Sequence, residues 1–177
     1  MKHILLVITV AFLSFGLAGC TSTSTIVGAL SAIGNACSVS VVVVPVLVAT
    51  GVVDVVSGAL ILDYTGHVSK SVGQAKVELA STDPNPLKIT RIVGYFSSIA
   101  VPALPSRAGA IVMAIQLAVE AFLGRLQKPA VVAYAAAKPG EELRLSYADR
   151  AELSNIAKQS AATSTAIAKW KLDYPVK

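Results

Sequence analysis

From His3 to Val53 the chain carries no residue that is charged at neutral pH, and this run constrains the fold more than any other feature. An uncharged segment of that length has to be buried, removed before folding, or placed against lipid. Its most apolar part, VVVVPVLVATGVVDVVSGALIL (Val41–Leu62), is long enough to cross a bilayer and holds one charge, Asp54. Pro45 is expected to divide it. The residue before a proline is pushed away from helical angles, so Val41–Val44 read as extended, while Pro45 suits the first turn of a helix running to Leu62. That helix would place Thr50, Asp54 and Ser57 on one stripe. At about 18 residues, or ~27 Å, it is at the short end for spanning. No Lys or Arg flanks it between Lys2 and Lys70, as a cytoplasmic stop requires. Burial in the core is therefore expected ahead of interfacial contact, and a span last.

The N-terminal stretch, MKHILLVITVAFLSFGLAGC, places Lys2 ahead of an apolar run from Ile4 to Phe15, with small residues before a cysteine. This is the layout of a secretory signal, which stands apart from the fold. Its ending, Leu17-Ala18-Gly19-Cys20, resembles the lipobox of bacterial lipoproteins. The resemblance is confined to this stretch. It implies cleavage before Cys20, a diacylglycerol on the Cys20 sulfur and an acyl chain on the new amino group. No other cofactor is expected. Thr21 in place of Asp is similar to the pattern that sends enterobacterial members of the class to the outer membrane, facing the periplasm. One acyl chain holds a protein reversibly, at about 0.8 kcal/mol per buried methylene, and additional chains make the anchor stable. The expected organisation is a signal (residues 1–19), a lipidated cysteine with a short polar tether (20–25), and one compact domain rich in apolar helices (26–177). Fully extended, Thr21–Thr25 reaches about 17 Å, which keeps the body close to the bilayer. With Cys20 modified, Cys37 has no partner for an internal disulfide and is expected as a small buried hydrophobe.

The body has the composition of a full core with apolar surface to spare. Hydrophobic residues make up 54% of the chain and charged ones 14%, where a quarter charged is usual. Ile26–Cys37 is expected as a short helix. Asp63-Tyr64-Thr65-Gly66 reads as a turn ahead of a helix in which Val68, Val72, Ala75 and Leu79 recur on one face. The breaker cluster Ser81-Thr82-Asp83-Pro84-Asn85-Pro86 is the clearest loop. In Leu87–Ala100, Ile92, Phe96 and Ile99 share a face. Ser106 is a candidate N-cap for the strongest helix, ending near Lys128, with a narrow polar stripe of Gln116, Glu120, Gly124 and Gln127. Lys138-Pro139-Gly140 marks another loop. Ser146-Tyr147-Ala148-Asp149 has the form of a capping box, opening a helix with Leu153, Ile156, Ser160, Thr163, Ile167 and Trp170 at 3,4 spacing. The fold expected is mostly α, a small globule of about four to five helices. The alternative is α+β, with Val41–Val44, Lys76–Ala80 and Ile89–Phe96 as strands.

Little in the chain points to catalysis. His67 is the one histidine left once the signal is removed, and no Cys or Glu stands near it at ligand spacing, so no metal is expected. There is no G-x-S-x-G, no phosphate-binding loop and no G-x-G-x-x-G. Glu141 and Glu142 are adjacent in a loop. Asp54 and Glu120 are the candidate functional acids, each the lone carboxylate on an apolar stretch, and they would do chemistry only if buried. A net charge of +5 without a basic run argues against nucleic acid and permits attraction to anionic lipid or cell-wall polymer. The ending Tyr174-Pro175-Val176-Lys177 resembles the murein lipoprotein in its terminal lysine, which in that family is joined to peptidoglycan. The expected partners are thus the membrane, through the lipid anchor, and either an envelope protein or peptidoglycan.

The function expected is that of a non-enzymatic, lipid-anchored envelope protein with a structural or adaptor role. A membrane-active or pore-associated lipoprotein, of the phage exclusion or lysis kind, is the alternative. A periplasmic enzyme is the least favoured reading.

Overall fold

The computed structural model describes residues 23–127 and 145–175. Among them are five helices and no strand: α1 (Thr23–Ala49), α2 (Val55–Ala80), α3 (Asn85–Ser97), α4 (Ser106–Leu126) and α5 (Tyr147–Asp173). The mostly helical expectation holds. The α+β alternative does not, because Val41–Val44, Lys76–Ala80 and Ile89–Phe96 lie inside α1, α2 and α3. The loop expected at Lys138-Pro139-Gly140 lies outside the described residues.

Pro45 does not open a helix; α1 runs straight through it. Its ring removes the bond to the Val41 carbonyl, a loss of about 3 kcal/mol in an isolated helix. Contacts with α2, α4 and α5 hold α1 on course in spite of that loss. The chain turns instead at Gly51, where φ is +70°. The Gly51 amide donates to the Val48 carbonyl at 3.0 Å and the Val52 amide to the Leu47 carbonyl at 2.9 Å. This is a Schellman ending, whose left-handed residue after the helix favours glycine. Thr50 Oγ1 adds a bond to the Val46 carbonyl at 2.8 Å.

Asp54 then starts α2 as its N-cap. Thr50, Asp54 and Ser57 therefore belong to the end of one helix and the start of the next, not to one stripe. The expected turn at Asp63-Tyr64-Thr65-Gly66 is also helix. Tyr64 and Thr65 are buried, and Thr65 returns its hydroxyl to the Ile61 carbonyl at 2.8 Å. A long buried face running through Val68, Val72, Ala75 and Leu79 carries α2 across these poor helix formers.

The break after Ala80 falls where expected, and Pro84 and Pro86 lead into α3. Lys88, 1% exposed, passes its ammonium back to the Ser81 carbonyl, at the negative end of α2. Across the same junction Glu78 accepts from Tyr95 Oη at 2.8 Å and from Arg91 Nη1 at 3.2 Å. Arg91 also bonds Asp83. Ser106 is the first residue of α4 rather than its cap; Pro105 holds the cap position without a side-chain bond. The capping box is present, with Ser146 and Asp149 bonding each other's backbone amides at 3.1 and 3.0 Å.

An apolar core draws on all five helices, from Leu30 and Ile33 in α1 to Ile61 and Val72 in α2, Phe96 in α3, Phe122 in α4 and Ile156 in α5. Phe96 and Phe122 meet edge to face, with ring centroids 5.4 Å apart. α5 runs alongside α1 in the same direction, pairing Ser31 with Glu152, Asn35 with Gln159 and Ser38 with Thr163. It runs against α2, pairing Ser69 with Ser160 and Asp63 with Lys171. The middle of this seam is built from hydroxyls and amides, while Leu153, Ile156, Ile167 and Trp170 supply the buried apolar contacts toward its two ends.

Candidate functional surface

Cys20 and the preceding Leu17, Ala18 and Gly19 lie outside the described residues, as do Glu141, Glu142 and Lys177. α1 begins at Thr23, so the tether expected over residues 20–25 is helical in its second half. In sequence, only Thr21 and Ser22 stand between Cys20 and the first residue of α1.

The structure does not join the two candidate acids into a site. Asp54 is exposed, and its carboxylate accepts from the Ser57 amide at 2.8 Å and the Ser57 hydroxyl at 2.6 Å. The hydroxyl first, then the amide, hold the Asp54 carboxyl below the ordinary carboxylate range. Glu120 is exposed on α4 and accepts from Gln116 Nε2, one turn earlier, at 2.8 Å. Cys37 is fully buried, and desolvation pushes its thiol up to about 12, as expected of a packing residue. Tyr64 is also pushed up, first by burial and then by Cys37 and Glu120.

Two open grooves flank α2. One, of about 740 Å³, lies between α2 and α5 over Gly66, Gly73 and Ser160, with Lys70 and Lys171 at its rim. The other, of about 490 Å³, is bounded by Tyr64, Ser71, Tyr95, Ser98 and Pro102. Neither Asp54 nor Glu120 borders them. Asp63, His67, Lys70 and Gln74 line both and form the ridge between them. His67 Nε2 stands 3.5 Å from Asp63 Oδ2, and Lys171 Nζ donates to Asp63 Oδ1 at 3.0 Å. Asp63 and His67 are one helical turn apart in sequence, and the pair forms because the turn-like Tyr64-Thr65-Gly66 between them is helical.

The ridge sets His67 beside Asp63, and the serines lining the two grooves are already engaged. Ser71 and Ser98 both donate to the Tyr95 carbonyl, at 2.9 and 3.2 Å. Ser160 donates to the Ser69 carbonyl at 2.8 Å, and Ser164 to the Ser160 carbonyl at 3.0 Å. Each groove-lining serine is thus tied to backbone. Among the described residues no group of three or more His, Cys, Asp or Glu is arranged to hold a metal ion.

Apolar surface is the more pronounced feature. Two helical segments, Ile26–Ala49 with mean hydropathy 2.1 and Ala108–Leu126 with 1.6, are long and apolar enough to cross a membrane. Only 33% and 28% of their most apolar windows are buried, so most of each lies at or near the surface. Val42 and Val46 on α1 are 69% and 57% exposed, and Met113 and Leu117 on α4 are 65% and 64% exposed. Of the Val41–Leu62 stretch, Val44, Val53, Ile61 and Leu62 are core, while Val42, Val46, Val52, Val55, Val56 and Leu60 are exposed. The expectation of a buried helix there is met by a minority of its residues. Length and composition of these helices fit membrane association at a coarse level. Comparison with protein-family models, curated proteins and solved structures finds no match to this chain.

Proposed function

We propose that this chain is a lipid-anchored bacterial envelope protein with a non-enzymatic, structural or adaptor role. The observation that carries the reading is the signal-like stretch ending in Leu17-Ala18-Gly19-Cys20, directly ahead of the helical body. Acyl chains at Cys20 are its covalent cofactors. Thr21 favours the outer membrane, with the body facing the periplasm, where an envelope protein or peptidoglycan is the partner. Intact mass of the native protein beside a Cys20→Ser variant tests the proposal. The native mass is expected to lack residues 1–19 and to carry a diacylglycerol and an acyl chain. A native mass that retains the signal without lipid would overturn it.

A second reading, a membrane-active lipoprotein, is favoured by the exposed Met113 and Leu117 on a helix long enough to span. Dye release from sealed vesicles by the purified full-length protein tests it, and intact vesicles at saturating protein would dismiss it.

A further inference from the structure

We infer that the exposed face of α1 lies on the lipid bilayer, with the helix parallel to the membrane plane; this rests on the lipid-anchor reading above. The exposed residues of α1 include Gly28, Asn35, Val39, Val42 and Val46. Their spacings of seven, four, three and four place them on one line along the helix. From Gly28 to Val46 that line is about 27 Å long at 1.5 Å per residue. It carries no charge, and its second half is all valine, with Val39 55% and Val42 69% exposed. The apolar surface continues around the corner through Val52, Val55 and Val56. The corner's single charge, Asp54, is committed to the start of α2.

The other helices are different. α2 exposes Asp63 and Lys70, α3 Arg91, α4 Glu120, and α5 Arg150, Lys158, Lys169 and Lys171. Among the described helices, α1 alone has an outer face without a charge.

The anchor selects the occupant. Cys20 precedes Thr23 by three residues, which reach about 10 Å at most. Acylation there keeps the start of α1 at the membrane surface, so the bilayer is the apolar medium present at the highest effective concentration. A helix of 27 residues held at one end, about 40 Å long, can stand or lie. Standing would hold the valine line and the corner in water. Lying places the valine line in the acyl boundary, where an uncharged face has no ion to desolvate, and leaves Asp54 at the corner in the polar headgroup layer. Docking on a second copy or a protein partner would use the same valines but would not follow from the closeness of the anchor.

The test uses the full-length acylated protein in phosphatidylethanolamine–phosphatidylglycerol vesicles whose acyl chains are brominated. Fluorophores go on single cysteines introduced as Val42→Cys, Val46→Cys and, as the reference, Thr90→Cys. Thr90 is exposed on α3, which packs on α2 and the edge of α4. Cys37 is buried and takes no label. Labels at 42 and 46 are expected to be blue-shifted and quenched by the brominated chains, and the label at 90 to be neither. Equal behaviour at 42 and 90 overturns the inference, as does a label at 42 shielded from aqueous iodide but untouched by the brominated chains. Intact mass and vesicle flotation of the same samples separate the two readings. An acylated, floating protein with position 42 unquenched keeps the anchor and rejects the orientation. A protein without acyl mass that is still quenched at 42 keeps the lipid-facing stripe and rejects the anchor, and one neither acylated nor quenched rejects both.

Discussion

Gly58 of α2 faces Val48 of α1 so closely that a Cβ at position 58 would stand 2.6 Å from Val48 Cγ2. Val44 and Trp170 would lie at 3.6 and 3.8 Å, so the site is closed on three sides. Alanine at a helix interior gains about 1 kcal/mol over glycine, while an extra carbon in a filled core costs about 1–3 kcal/mol. Gly58→Ala is therefore expected to be net destabilising by about 1 kcal/mol. Gly94 of α3 has nothing within 4 Å of the same point, and Gly94→Ala should stabilise by up to about 1 kcal/mol. Denaturant titration of the two variants checks the opposite signs.

Asp54 gives an acid-side prediction. Its carboxyl is held below the ordinary value of 3.8 by the Ser57 hydroxyl and amide. The folded state therefore prefers the ionised form. That contribution is complete above 3.8 and disappears as pH falls through the lowered native value. Asp54→Asn should lower the Tm at neutral pH and flatten the fall in Tm below 3.8. Thermal scans of both proteins across that range are the measurement, and parallel acid limbs would count against the cap.

Cys37 gives the opposite sign. Burial raises its thiol from 9.0 to about 12, so the unfolded chain releases the proton first. Stability from this group is intact below pH 9 and is lost as pH rises toward the native value. The loss reaches at most about 1.4 kcal/mol per pH unit, and Cys37→Ala should remove that slope. At pH 8 a maleimide should label native Cys37 only at the rate of global opening, which timed alkylation with and without denaturant measures.

Lys88 is expected to matter more than an ordinary lysine. A hydrogen bond from a charged donor is worth about 1.5–3 kcal/mol, and truncating a buried stem leaves a cavity. Lys88→Ala should cost about 2–4 kcal/mol, and Lys88→Met about half as much because it keeps the packing. Chemical denaturation of the pair separates the ammonium's share from that of its carbon chain.

The register of α5 was readable from sequence because its signals are local. Ser146 and Asp149 bond each other's amides, and Leu153, Ile156, Thr163, Ile167 and Trp170 all turn inward as their spacing implies. The division of α1 from α2 was not readable, because it depends on what surrounds the chain. Pro45 is the stronger local breaker, yet contacts from three helices carry α1 across it, and the chain bends where Gly51 can take a positive φ. Asp63 and His67 were obscured for the same reason. A Tyr-Thr-Gly run is turn-like alone and helical once Tyr64 and Thr65 are buried against neighbours. Of the candidate functional residues, Cys20 was legible as a motif. The valine line was not, since which side of an all-apolar helix is left uncovered is decided only by how its neighbours pack.

The seam along α5 sets an order of opening. Between Gln159 and Ala166 only Thr163 is buried, and the contacts there are hydroxyl to hydroxyl, hydroxyl to carbonyl and amide to amide. Water can replace each of these at little net cost, and Gln159 Oε1 is buried there without a hydrogen-bond partner among the described residues. The aliphatic contacts among α1, α2 and α4 have no such substitute. α5 is thus fastened at its ends and wettable at its waist, like a stave hooped top and bottom. Amide exchange should begin at that waist, and the first partial opening of this protein should uncover the small-residue floor beside α2 while the remaining helices stay closed.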